Sequence, residues 1–220
     1  DVPPSTILDM AYNLRHSKDM AIIDAMTNRV SAIQNTYKDL YENEEFNHYC
    51  ENTLRPMLDV LGHEIQKDEL QLQRSSRSRI IYALRENPET RRTIIDLGKA
   101  YLNDDITLNY EYASYICMLA YYEGGAALYD TILNRIETTQ NPNERYSLCR
   151  CLGYFHDEKL RKRNLDYILE GDLIPLERLF LLRAVQYMHK WDSEDSIIPW
   201  LAEHYSFFEE HVSLDLLDKF

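Results

Sequence analysis

Apolar side chains recur three and four residues apart along most of the chain, and short polar corners interrupt them, which is a helical pattern. Ile7, Met10, Ala11 and Leu14 predict a short amphipathic helix. Ser17 and Asp19 predict the cap of a longer one, whose stripe is Ile23, Met26, Val30, Ile33, Tyr37 and Leu40. A third helix carries Phe46, Cys50, Leu54, Met57 and Leu61, and stops near Gly62. Pro56 sits inside it and is expected to kink or split it, because proline lacks the N–H of the helical ladder.

From Ser75 the pattern becomes regular. First helices of successive pairs are predicted over 77–85, 109–122, 143–153 and 175–187. Second helices begin near Pro88, Gly125, Asp157 and Ser193, and these starts lie 37, 32 and 36 residues apart. Leu128, Tyr129, Ile132, Leu133 and Ile136 form the buried face of one second helix, and Ile197, Leu201, Tyr205 and Phe208 that of another. Asn87-Pro88-Glu89 and Asp157-Glu158 are helix starts, while Asn141-Pro142-Asn143 and Glu170-Gly171-Asp172 are corners. Such periods belong to two-helix repeat units. The expected fold is all-α: a HEAT/armadillo-like solenoid of antiparallel helix pairs with one concave face. A single domain over 1–220 is expected, less regular over 1–74 and repetitive over 75–212.

Composition agrees, since six Gly and seven Pro in 220 residues are too few for the many turns of a β-sandwich. The net charge of −13 repels phosphate backbones, so nucleic acid is not an expected partner. The clusters Arg74, Arg77, Arg79 and Lys159, Arg161, Lys162, Arg163 read as solvated helix faces. No apolar run reaches membrane-spanning length. Asp1-Val2-Pro3-Pro4-Ser5 reads as a linker entering a helix, as in a segment excised from a longer chain. Seventeen tyrosines suit half-buried helix faces or a groove that holds peptide.

Catalytic chemistry is sparse. His63-Glu64-Ile65-Gln66-Lys67 approaches the zinc-binding H-E-x-x-H pattern, but Lys67 puts a cation where the second imidazole should stand. His16, His48, His156, His189, His204 and His211 lack metal spacing and read as structural. No phosphate loop, nucleophile elbow or dinucleotide fingerprint occurs. Cys149-Arg150-Cys151 lacks the second pair a zinc site needs. Cys117 and Cys151 fall on first helices of adjacent units, where a disulfide and two buried thiols are both open readings. No N-x-[ST] glycosylation site is present.

Ile116-Cys117 through Gly124-Gly125, then Leu128-Tyr129-Asp130, resembles the C-terminal helical domain of the zinc-dependent aminopeptidase N family, relatives of the endoplasmic-reticulum and puromycin-sensitive aminopeptidases. Glu144-Arg145, Leu152-Gly153, Asp157-Glu158, Tyr167-Ile168-Leu169 and Trp200-Leu201 continue the resemblance, which is specific from Cys117 to Leu201 and loose before Ser75. Departures are Tyr112, where many members carry Arg, the missing Cys pair around Tyr82 to Arg92, and Cys151 one turn before the expected cysteine position near Tyr154.

The resemblance implies a non-catalytic domain whose parent enzyme holds zinc and its Glu base in another domain. This chain would then cap the active-site chamber and help bind and size-select the peptide while the parent removes the N-terminal residue. Its partners would be the peptide and the parent's catalytic domain, with candidate contacts Tyr110, Tyr112, Arg145, Arg150 and Arg183. No catalytic residue, metal ligand or cofactor is expected in the chain itself. An extracellular or membrane-anchored ectoenzyme is favoured over a cytoplasmic one. The rival reading is a free-standing helical-repeat scaffold that binds a partner protein. The chain on its own should be strongly helical and inert toward aminoacyl substrates with added zinc. Measurable turnover would place chemistry here after all.

Overall fold

The computed structural model describes residues 2–41, 43–62, 69–104, 113–188 and 197–212. Twelve α-helices and no strand occur among the described residues, so the chain is all-α. Its packing divides into two compact units, Asp1–Asp96 and Leu97–Phe220.

The first unit holds α1 (Pro4–Asn13), α2 (Met20–Thr36), α3 (Glu44–Leu61), α4 (Gln71–Ala83) and the start of α5 (Pro88–Leu102), within which the division falls. The cap expected at Asp19 is made, its carboxylate accepting from the Ala21 N–H at 2.8 Å, and at the expected helix start Asn87 accepts from Glu89 and Thr90. The α3 stripe is buried as expected, joined by Thr53 and Leu58. Pro56 does not split α3, which is continuous from Glu44 to Leu61. The carbonyl that Pro56 leaves without a donor belongs to Asn52, an exposed residue on the outer side of the helix, so the missing bond is not buried in the core.

Three expectations need correction. Helix α2 ends at Thr36, and a 3-10 turn (Lys38–Tyr41) follows; Tyr37 is therefore 53 % exposed, while Thr27 and Gln34 join Ile23, Val30 and Ile33 in the buried face. Amphipathic Tyr satisfies the helical period without needing burial.

The second concerns Arg77, which does not lie on a solvated face but is 1 % exposed. Its Nε donates to the Gly62 carbonyl at 2.7 Å and its Nη2 to the Leu61 carbonyl at 2.9 Å. The same guanidinium makes a bidentate pair with buried Glu69. An arginine of α4 thus meets the unpaired carbonyls where α3 ends, at the positive-φ Gly62 that stops it. Nearby, Arg79 pairs with Asp24 of α2 at 2.6 Å and Tyr49 donates to the Leu8 carbonyl at 2.8 Å, tying α4 to α2 and α3 to α1.

The second unit contains α6 (Ala113–Glu123), α7 (Ala126–Thr138), α8 (Pro142–Leu152), α9 (Glu158–Glu170), α10 (Pro175–Met188), α11 (Ile198–Glu203) and α12 (Tyr205–His211). Helix α8 packs on α6, α7 and α10, and α10 packs on α9, a succession consistent with stacked helix pairs. Tyr129, Ile132 and Ile136 of α7 are fully buried with Leu148, Cys151 and Leu152 of α8, and the Tyr129 ring meets Phe155 edge-on at 5.3 Å. At Gly153 a Cβ would stand 2.4 Å from that of Ala184, so α8 ends against α10 at a distance that only glycine allows.

The third correction falls here. The face written as Ile197, Leu201, Tyr205 and Phe208 is not one helix: the chain breaks at His204 between α11 and α12, and Tyr205 is 53 % exposed. Ile197 and Phe208 remain buried. The predicted start at Ser193 lies outside the described residues.

Removing one partner of a buried ion pair leaves the other charge desolvated and uncompensated. Arg77→Ala is expected to lower unfolding free energy by about 3–5 kcal/mol in urea titration. A loss under about 1 kcal/mol would show that Glu69 and the α3 carbonyls are satisfied without it.

Candidate functional site

Helices α6, α8 and α10 carry the chemistry-bearing side chains, and the starts of α8 and α10 fix where these stand. Each start contains the dipeptide Glu-Arg in its first turn, Glu144-Arg145 and Glu177-Arg178, 33 residues apart. Glu177, only 3 % exposed, accepts the Ile174 N–H at 3.0 Å and so caps its own helix, while its other oxygen accepts Arg145 Nε at 2.9 Å. Arg145 also donates to the Ile136 carbonyl at 3.2 Å, near the end of α7, and to the Asp172 carbonyl. Arg178 repeats this one unit later, donating to Ile168, Leu169 and Gly171 carbonyls where α9 ends.

Glu144 closes the upstream side. It accepts from Tyr101, from Arg135 at 2.9 Å and from Thr139 at 2.5 Å, while Arg135 also pairs with Asp104 at 2.5 Å. Burial pushes the Glu144 carboxyl up, but these donors and the Arg135 charge together hold it below its ordinary value. The hydrogen bond that Arg135 donates to Asp104, against the cost of burial, raises Arg135 further above its already high value.

Of the five candidate peptide contacts, Tyr110 and Tyr112 lie outside the described residues. Arg145 is spent on the backbone and Glu177. Arg150 and Arg183 both act on one side chain, Tyr146: burial raises its phenol pKa and the two guanidinium charges oppose that rise. The Tyr146 and Phe180 rings meet edge-on at 4.2 Å, and Arg183 lies 5.8 Å from the Phe180 centroid. The result is a half-buried aromatic pair with two cations beside it, suited to an anionic or aromatic group of a ligand. Sequence reading passed over Tyr146 and Phe180. Their signal was spacing, since Tyr146 precedes Arg150 by four residues and Phe180 precedes Arg183 by three, one turn on one face.

Arg150 also borders the two cysteines, and its Nε has no hydrogen-bond acceptor. Cys117 and Cys151 are both fully buried, with their Sγ atoms 2.8 Å apart. Elsewhere in the unit, Tyr129, Leu133 and Tyr167 line a cavity of about 460 Å³, with Glu137, Arg163, Asp166, Glu170, Gly171 and Asp172 around them. Arg163 pairs there with Asp130 at 2.7 Å and covers the Tyr129 ring at 4.4 Å.

His204 and His211 each place Nδ1 on a carbonyl one turn back, Trp200 at 2.8 Å and Phe207 at 3.0 Å, and His156 stacks edge-on with Tyr121. His63, Glu64, Lys67 and His189 lie outside the described residues. Among the described residues no three His, Cys, Asp or Glu gather as metal ligands. No helix among them is long and apolar enough to cross a membrane.

A family model described as the ERAP1-like C-terminal domain matches residues 1–219. No curated protein matches the chain.

Because the folded-state pKa of Glu144 is depressed, its contribution is present above the ordinary value of 4.5 and lost as pH falls through the lower folded value. Glu144→Gln should therefore lower the urea midpoint at about pH 7, with the gap to the natural protein closing as pH falls below the ordinary carboxylate range. A gap that stays constant with pH would remove the carboxylate from this role.

Proposed function

The chain belongs to the ERAP1-like C-terminal domain family, the C-terminal domain of ERAP1-like aminopeptidases, and from that membership we propose that it serves a zinc metallo-aminopeptidase as its non-catalytic peptide-holding part. The match over residues 1–219 is the observation that carries the reading. Zinc and the water-activating carboxylate belong to another domain of the parent enzyme. This chain closes over the active-site chamber, keeps water out of it, and holds the downstream part of the peptide while the N-terminal residue is removed.

The cluster around Tyr146 supports a specific form of this role. Arg150 and Arg183 are close enough to bear on the Tyr146 phenol, and Phe180 packs against its ring. A peptide's C-terminal carboxylate accepts charge-assisted hydrogen bonds from such guanidiniums while its last side chain lies on the rings. A peptide too short to reach both this cluster and the zinc makes one contact set only, which is how length is selected. Tyr110 and Tyr112 complete the proposed set of contacts. Arg145 has its place in the scaffold and acts on the peptide only by fixing α8.

The test uses the whole protein that carries this chain. With Arg150→Ala and Arg183→Ala together, kcat/KM for peptides of about ten residues should fall at least about tenfold relative to single-residue amide substrates, the cost of one lost charged hydrogen bond. Amidating the peptide C-terminus should produce a similar loss in the natural protein and little further loss in the variant. Equal effects on long and short substrates would overturn the reading.

A further inference from the structure

We propose that the cavity between α7 and α9 is a second binding site, separate from the Tyr146 cluster, that receives an arginine side chain from a basic segment of a partner protein. Its walls come from both helices. Tyr129, Leu133 and Glu137 stand four residues apart along α7, and Asp166, Tyr167 and Glu170 share a face of α9. The volume of about 460 Å³ is within the range of sites that hold small ligands, so one arginine side chain fits.

The lining is that of a site for a cation. Tyr129 is fully buried and Tyr167 half-buried, while the carboxylates of Glu137, Asp166 and Glu170 are exposed around them. Those three carboxylates make no hydrogen bond or ion pair among the described residues. The chain itself shows what such a surface takes. Arg163 lies 4.4 Å from the Tyr129 ring centroid and pairs with Asp130 at 2.7 Å, a guanidinium on an aromatic face with a carboxylate beside it. Tyr167 offers a second ring, and among the described residues no cation lies over it. Arg145 and Arg178 act on its phenol through their charge, but both are committed to helix-end carbonyls, and Arg145 also to Glu177. Burial pushes the Tyr129 phenol up to about 12 and raises that of Tyr167, so both rings stay neutral and the carboxylates supply the charge.

The corner after α9 fixes the second ring. A Cβ at Gly171 would stand 2.6 Å from ring carbons of Tyr167, so glycine is what lets that ring lie against the backbone. Arginine suits the site better than lysine, because a planar guanidinium stacks on a ring while donating to more than one carboxylate. The partner is a basic one by charge complementarity: four acids and one arginine line the cavity, and the net charge of −13 draws cations in from a distance. The site is built on second helices, whereas Tyr146, Arg150, Phe180 and Arg183 stand on the first helices α8 and α10.

The experiment titrates the whole protein that carries this chain with acetyl-Arg-Arg-Arg-amide by calorimetry. The blocked N-terminus removes this probe from aminopeptidase action, and the amidated C-terminus leaves no carboxylate for the Tyr146 cluster, so the two sites are read apart. Asp166→Asn with Glu170→Gln should weaken binding at least about fivefold, and Tyr167→Leu should weaken it about threefold or more. Glu209→Gln with Glu210→Gln, the same charge change at exposed residues of α12, should weaken it less than about twofold. The acetylated citrulline trimer, neutral but of the same shape, should bind at least about tenfold more weakly. No binding up to about 1 mM would overturn the proposal, as would equal losses in the two acidic variants. Spermidine binding as tightly as the arginine trimer would assign the cavity to a small polycation instead. A concentration-dependent dimer in sedimentation that Asp166→Asn with Glu170→Gln abolishes would assign it to a second copy of the chain, and either result would overturn the partner segment.

Discussion

A helix that ends inside a packed unit leaves its last carbonyls without donors, and an unpaired buried carbonyl costs about as much as a lost hydrogen bond. Three arginines meet that demand here. Arg77 answers the end of α3, Arg145 the end of α7 and Arg178 the end of α9, each reaching back from the helix that follows the turn or corner. Guanidinium is suited to this because five donors in one rigid plane can serve several carbonyls and a carboxylate at once. The carboxylates, Glu69 for Arg77 and Glu177 for Arg145, balance the buried charge that the arrangement introduces. In the second unit the device is periodic. Glu177 caps its own helix and grips Arg145 of the preceding pair, so these two pairs are locked together. One period of 33 residues upstream of Arg145 falls on Tyr112, the position where many members of the resembled family carry arginine.

That device explains what could be read from the chain and what could not. Helix positions followed from apolar periodicity, because burying a stripe on a neighbour constrains every third or fourth residue. The cap at Asp19 and the helix starts at Pro88 and after Asp157 followed from local chemistry, and the structure adds that Asn87, Asn141 and Asp157 cap their helices. Arg77 was misplaced because a run of basic residues carries no mark of its partners: the pairing residue, Glu69, and the carbonyls of α3 are set by tertiary structure. Tyr37 and Tyr205 were misplaced for a related reason. Their rings obey the helical period but tolerate water, so a helix that stops early at Thr36 or breaks at His204 leaves them outside without large cost.

The candidate site shows the same limit from another side. Arg145, Arg150 and Arg183 look alike in sequence, yet Arg145 is held by Glu177 and two carbonyls, whereas Arg150 and Arg183 stand beside Tyr146. What separates them is position in the helix. Arg145 lies in the first turn of α8, beside the preceding helix end, and Arg150 lies in its last turn, beyond reach of any such corner. An arginine at the start of a first helix is thus structural by placement, whereas Arg150, near its end, lies away from the preceding corner and beside the cysteines.

This placement bears on how an acidic chain would hold an anionic peptide end. A net charge of −13 repels a carboxylate at long range, so long-range steering cannot be what draws it in. Beyond about 8 Å physiological salt screens the repulsion, while inside that distance the ligand meets the nearest groups, here two half-buried guanidiniums and an aromatic pair. Partial desolvation strengthens those contacts relative to surface pairs and makes them depend on close geometry. Geometry of that kind requires α8 and α10 to keep their spacing. The Gly153 contact with Ala184 and the Arg145–Glu177 bond, one at each end of α8, both set it. The helix-end arginines therefore serve the proposed ligand indirectly, by holding the two helices on which Arg150 and Arg183 stand.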